Sequence, residues 1–289
     1  MPKRLALPDP SGECRSSPTK HTHVGLRLST QYSTTALFPA WLIPLLVFLE
    51  PESRDLYTFE IFSGSEAITD ASNFRGAPAM PFDIVNHPDE DFTTEFGFLR
   101  ALWLLLRVRR GGLFWSGIQC SSWIFFTSSQ TRRCKHNPEG DRDNPMVQES
   151  MLTLAHYCIL LLVAYARNVY WVVEQPGDSR LYDTTLWQHV ASLCQATRVW
   201  TWQGAFGADC HKATCLWGTV AEISQLARSR PVMPDAAKHY TNEHKPRSTK
   251  RRTAVTGAKS LKSTEAYPTA FAEAIIDIMI QHHWPELQR

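Results

Sequence analysis

The sequence predicts an α/β domain of the doubly wound kind, a mainly parallel sheet with helices on both faces. Three observations predict it. From residue 56 onward, short strand-like runs alternate with apolar runs of helical length, the pattern that successive βαβ units produce. A glycine turn separates the first strand from the first helix. The later strands are nearly continuous apolar runs, as strands buried on both faces are.

The elements follow in order. Leu56-Tyr57-Thr58-Phe59-Glu60-Ile61-Phe62 is rich in aromatic and branched residues, and Ser63-Gly64-Ser65 breaks it. Residues 66–74 form a helix closed by Arg75-Gly76. Residues 79–84 are a short strand containing Asp83. Residues 96–108 are an apolar helix stopped by Arg109-Arg110-Gly111-Gly112. Residues 113–118 are the next strand, leading to Gln119-Cys120. After a polar loop, residues 147–167 form a long apolar helix, and residues 169–173 a buried strand leading to Glu174-Gln175-Pro176. Ligands of such sheets bind at the carboxyl ends of the strands, an edge that here collects Gly64, Asp83, Cys120 and Glu174. Pro268 opens a terminal helix whose Phe271, Ala274, Ile275, Ile278 and Met279 recur at core-facing spacing.

This divides the chain into a leader (residues 1–53) with an apolar segment at 36–49, the α/β domain (54–225), a basic stretch (226–262) and the terminal helix (263–289). With 43% hydrophobic and 20% charged residues, disorder of the whole chain is excluded. The net charge of +2 makes no case by itself for nucleic acid. The seven cysteines form no CxxC pair, which fits a reducing, intracellular setting. The segment 36–49 is shorter than the roughly 20 residues a spanning helix needs, so it is expected to pack on the core without membrane insertion.

Three motifs stand in a set order: Phe62-Ser63-Gly64-Ser65, Gln119-Cys120-Ser121-Ser122-Trp123 and Glu174-Gln175-Pro176. In this the chain resembles the cytosine carbon-5 DNA methyltransferases, and most of all their short, divergent, phage-like members. The stretch Phe206-Gly207-Ala208-Asp209-Cys210-His211-Lys212-Ala213-Thr214 is similar to a later Gly-x-x-x-x-Lys-Pro-Thr stretch of that family, with Ala213 in place of proline. The chain departs from the pattern at Glu66, where the family has a glycine, and at Gln119, where it has a proline. Glu60 is the strand acid ahead of the turn, and no Gln-x-Arg-x-Arg motif is evident.

The resemblance implies a Rossmann-like methyltransferase fold that binds S-adenosylmethionine. Phe62, Ser63, Gly64 and Ser65 would hold that cofactor, with Phe62 against the adenine. Asp83 would take the ribose hydroxyls and Asp91 the adenine amine. Cys120 would attack carbon 6 of an extruded cytosine, and Glu174 would hydrogen-bond the protonated ring nitrogen 3. Each has a plainer alternative: an ordinary strand-to-helix turn, solvated loop acids, a cysteine that is a small core residue.

Arg132, Arg133 and Lys135, in a loop with Trp123, Phe125 and Phe126, suit nucleic-acid contact or a solvated loop. Lys250, Arg251 and Arg252 suit phosphate contact, a nuclear-import signal or a solvated tail. Cys194, Cys210, His211 and Cys215 match no standard zinc spacing, so no metal is assigned. The expected partner is DNA, with RNA open. Residues 219–262 are few for target recognition, so selectivity is expected to be low or supplied by a targeting protein. The chain is expected to be a monomer. The alternative function is an inactive methyltransferase-like binding module.

Overall fold

The computed structural model of the chain describes residues 51, 53–232 and 266–288. The apolar segment 36–49 and the basic residues Lys250, Arg251 and Arg252 lie outside the described residues.

Six strands and five principal helices are described: β1 Leu56–Ile61, α1 Ala67–Phe74, β2 Ala79–Phe82, α2 Glu95–Arg107, β3 Val108–Ser116, α3 Pro145–Ala166, β4 Tyr170–Pro176, α4 Thr185–Leu193, β5 Thr197–Trp202, β6 Ala213–Gly218 and α5 Thr269–His282. The sheet order is β2-β1-β3-β4-β6-β5. β1 to β4 pair in parallel, whereas β6 runs antiparallel to both β4 and β5. The sheet is therefore mixed, and this corrects the mainly parallel expectation at one end. An antiparallel pair needs no helical crossover, so β6 follows β5 without an α-helix between them and breaks the strand-helix rhythm by which the earlier strands were read.

Helix starts follow local chemistry. Thr94 caps α2 by accepting from Gly97 N at 3.0 Å. Asn144 caps α3 ahead of Pro145, and Thr184 caps α4, each side-chain oxygen satisfying amides that have no partner inside the helix. The Arg109-Arg110-Gly111-Gly112 stop proves to be part of β3. Its register against β1 shifts between Leu56 and Thr58, and Gly111 takes a φ of +75°, as a glycine at a bulge does.

The strands alternate their side chains between two cores. On one face Phe59, Phe114, Trp171 and Val173 pack against α2, α3 and α4. On the other, Leu113, Trp115, Val172 and Leu216 pack against α1 and α5, with Phe271 and Ile275 at the centre. The terminal helix thus docks on the sheet, as its spacing predicts. α3 is long and apolar enough to cross a membrane by length and composition alone, and its Leu154, Tyr157, Leu160 and Leu161 lie in the first core.

Strand order sets where a ligand can enter. From β1 the chain moves to β2 on one side, then returns past β1 to β3 on the other. The turn after β1 leads to α1 on one face and the loop after β3 leads to α3 on the other, the topological switch point at which open α/β sheets bind ligands.

Candidate functional site

The turn after β1 holds Phe62, Gly64 and Glu66 at φ values of 58°, 51° and 58°. Gly64 takes this conformation without strain, and a Cβ built on it would meet nothing within 4 Å. Its face is open. Glu66 stands in the same left-handed region without that freedom, at a cost of about 1 kcal/mol. Its carboxylate accepts from Asn86 Nδ2 at 2.6 Å. Ser65 is exposed and Ser63 is buried, and Ser63 Oγ is among the buried polar atoms without a hydrogen-bond partner.

Asp83 joins this turn to the one after β2. Its Oδ2 accepts from Gly64 N and its Oδ1 from Val85 N, both at 2.9 Å. The ribose acceptor of the sequence expectation therefore already braces the glycine turn, with one lone pair left on each oxygen. Asp91 Oδ1 accepts from Thr93 N at 2.9 Å and Thr93 Oγ1 at 2.6 Å. That is a local turn leading into α2. Phe62 packs edge-on to Phe92, with centroids 5.4 Å apart.

Beneath the turn, the buried Glu60 accepts from Thr69 N at 2.8 Å and Thr69 Oγ1 at 2.7 Å, both on Oε2. Its Oε1 is buried without a partner. Burial pushes the carboxyl up to about 7, against the lowering effect of the Thr69 hydrogen bonds.

The ends of β3 and β4 are tied directly. Gln175 Nε2 donates to the carbonyl of Ile118, and Gln175 Oε1 accepts from Ser179 Oγ at 2.8 Å. These bonds bring the Gln119-Cys120 loop beside the end of β4. Cys120 is half-buried and in no disulfide, and its carbonyl accepts from Trp123 N at 2.9 Å. A cleft of about 240 Å³ opens beside it, between Ile118, Gln119, Ser122 and Trp123 on the loop and Glu149, Ser150 and Thr153 on α3.

Glu174 is 5% exposed and densely held. Oε1 lies 3.7 Å from Lys212 Nζ and 3.4 Å from Gln203 Nε2, while Oε2 accepts from the Tyr267 hydroxyl at 3.3 Å. Burial, with the neighbouring Glu174 and Glu60 carboxylates, pushes the Tyr267 phenol well above its ordinary value. Gly117 leaves room for this contact, because a Cβ there would stand 2.4 Å from the Tyr267 hydroxyl and the ring would have to shift. Sequence reasoning assigned no role to Lys212, Gln203 or Tyr267. Lys212 was visible inside the Phe206-to-Thr214 stretch and Tyr267 beside Pro268, but nothing local points either at Glu174.

The structure places Arg133 differently from its neighbours. Its guanidinium lies 3.5 Å from the centroid of the buried Trp123 ring and donates to Pro138 O at 2.6 Å and Ser150 Oγ at 2.9 Å. Burial lowers it to about 10. It holds the loop together from inside, which corrects the expectation of a phosphate contact. Arg132, 3.4 Å from Asp141 Oδ2, and Lys135 are exposed, as are Phe125 and Phe126. Cys194 and Cys215 are buried, and Cys215 Sγ accepts from Arg198 Nε at 3.0 Å. Among the described residues, no group of three His, Cys, Asp or Glu could hold a metal ion.

No protein-family model matches the chain, and no curated protein matches it.

Proposed function

We propose that this chain is a doubly wound, Rossmann-like methyltransferase domain that transfers a methyl group from S-adenosylmethionine to carbon 5 of cytosine in DNA. The observation that carries the proposal is the Gln175–Ile118 bond, which sets the Cys120 loop against the Glu174 strand end, near the switch point between β1 and β3.

The residues around Gly64 fit the cofactor. The open face of Gly64 lets a ligand approach the backbone, the unpartnered Ser63 Oγ offers a buried hydrogen bond, and Asp83 retains acceptor capacity. When bound, S-adenosylmethionine supplies an electrophilic methyl group. The chain's own residues prepare the acceptor. A duplex hides carbons 5 and 6 within the stack, so the base must be extruded, at a cost of a few kcal/mol. The Cys120 thiolate adds to carbon 6, which raises electron density at carbon 5; ring nitrogen 3 takes a proton from water as charge develops there, and the Glu174 carboxylate accepts a hydrogen bond from that N–H until the proton returns on elimination. Once carbon 5 is methylated, its proton leaves to water, the carbon 6–sulfur bond breaks and the thiolate is restored.

A second reading, an inactive module that keeps the cofactor site, is favoured by one observation. Lys212 and Gln203 engage Glu174 Oε1 and Tyr267 engages Oε2, so a base finds one lone pair left, on Oε2, unless it displaces a partner. Methylation of RNA or another acceptor is the third reading. Calorimetry with S-adenosylmethionine, followed by incubation with the methyl-labelled cofactor and mixed DNA and RNA, separates them. Binding with transfer to cytosine supports the enzyme, and binding without transfer supports the module. No binding by folded protein at millimolar ligand rejects both.

A further inference from the structure

Helix α2 is apolar on two sides. Phe98, Ala101, Leu102 and Leu105 face the core, while Phe96, Leu99 and Trp103 are 60%, 40% and 42% exposed. The latter stand at i, i+3 and i+7, so they form one stripe along the helix. A surface helix of a globular protein presents polar residues there, and a helix apolar all round is covered all round.

The far end of the stripe is fastened to the start of the described domain. Arg107 Nε donates to Asp55 Oδ1 at 3.0 Å, and its guanidinium lies 4.8 Å from the centroid of the Trp103 ring. That bond holds Asp55, and with it the point where the chain enters β1, beside Trp103. Residues 36–49 carry no charged side chain and stop six positions before Asp55. Six residues span at most about 20 Å, and the thirteen residues of α2 are about 20 Å long. The whole stripe is within reach.

We propose that the stripe Phe96-Leu99-Trp103 is the docking surface for this chain's own apolar segment 36–49, clasped at one end by the Asp55–Arg107 pair. The pairing removes two exposed apolar surfaces at once, and a tether this short gives the segment a high local concentration at the stripe.

The test uses the full chain with a photo-crosslinking benzoyl phenylalanine at Leu99. The expected product is an internal crosslink from position 99 to residues 36–49 in monomeric protein. Crosslinks between two copies, or to phosphatidylcholine and phosphatidylglycerol vesicles added to the mixture, would overturn the proposal, as would no crosslink to the segment. Trp103→Glu gives an independent reading. Chymotryptic cleavage within residues 36–49 should become about tenfold faster, because cleavage follows the population of the undocked segment. An unchanged rate would overturn the proposal equally.

Discussion

Lys212 Nζ lies 3.7 Å from Glu174 Oε1, with side chains only 17% and 7% exposed. Removing one partner of a buried pair leaves the other charge without compensation. Lys212→Met is therefore expected to cost about 3 kcal/mol in urea unfolding. Adding Glu174→Gln should recover about 1 to 2 kcal/mol of that loss. Strict additivity of the two substitutions would mean that the pair does not couple in solution.

Glu60 makes stability depend on pH in an unusual direction. Its folded carboxyl titrates near 7 and the unfolded one near 4.5, so between these values the folded state holds more protons. Stability from this group is complete below pH 4.5 and is lost as pH rises to 7, by about 3 kcal/mol in all. Glu60→Gln should lose that slope while keeping a carbonyl to accept from Thr69. Equal slopes for the two proteins over this window would rule the assignment out.

Arg133 is expected to matter for folding and not for phosphate. Arg133→Ala removes the ring contact with Trp123 and the bonds to Pro138 and Ser150, with an expected cost of about 3 kcal/mol. Arg133→Lys keeps the charge but cannot reproduce the planar fork, so it should recover little. Full stability of either variant would contradict the assignment.

These cases mark what the sequence makes legible. The elements from Leu56 to Pro176 can be read because each is a local pattern: a period, a cap or a glycine stop. β6 escapes because it pairs antiparallel with no α-helix before it, and β5 because it is an edge strand whose exposed Arg198 and Trp200 interrupt the apolar run. The chemistry divides in the same way. Gly64, Asp83, Cys120 and Glu174 sit at strand ends, so topology alone brings them to one edge. Tyr267 reaches Glu174 from 93 residues further along, and Arg133 has the composition of a surface cation but lies under Trp123. Such placements come from tertiary packing, which no window of sequence contains.

The basic run gives a prediction from charge alone. If Lys250, Arg251 and Arg252 contact phosphate, changing all three to Ala should make the plot of log affinity against log salt less steep by about 3 on duplex DNA, since each neutralised phosphate releases condensed counterions. Filter binding across a salt series measures this. Parallel slopes for the two proteins would assign those residues to solvent.

The proposed chemistry turns on the sulfur of Cys120. An oligonucleotide with 5-fluorocytosine at the target tests it most directly, because fluorine cannot leave carbon 5 as a proton does and the enzyme stays bonded to carbon 6. With S-adenosylmethionine present, wild-type protein is predicted to give a heavier band under denaturing conditions. Glu174→Gln should form that band far more slowly, and Cys120→Ser should not form it while keeping its cofactor affinity. Methyl transfer that persists in Cys120→Ser, or neither transfer nor adduct in the wild type across varied DNA, would contradict the account.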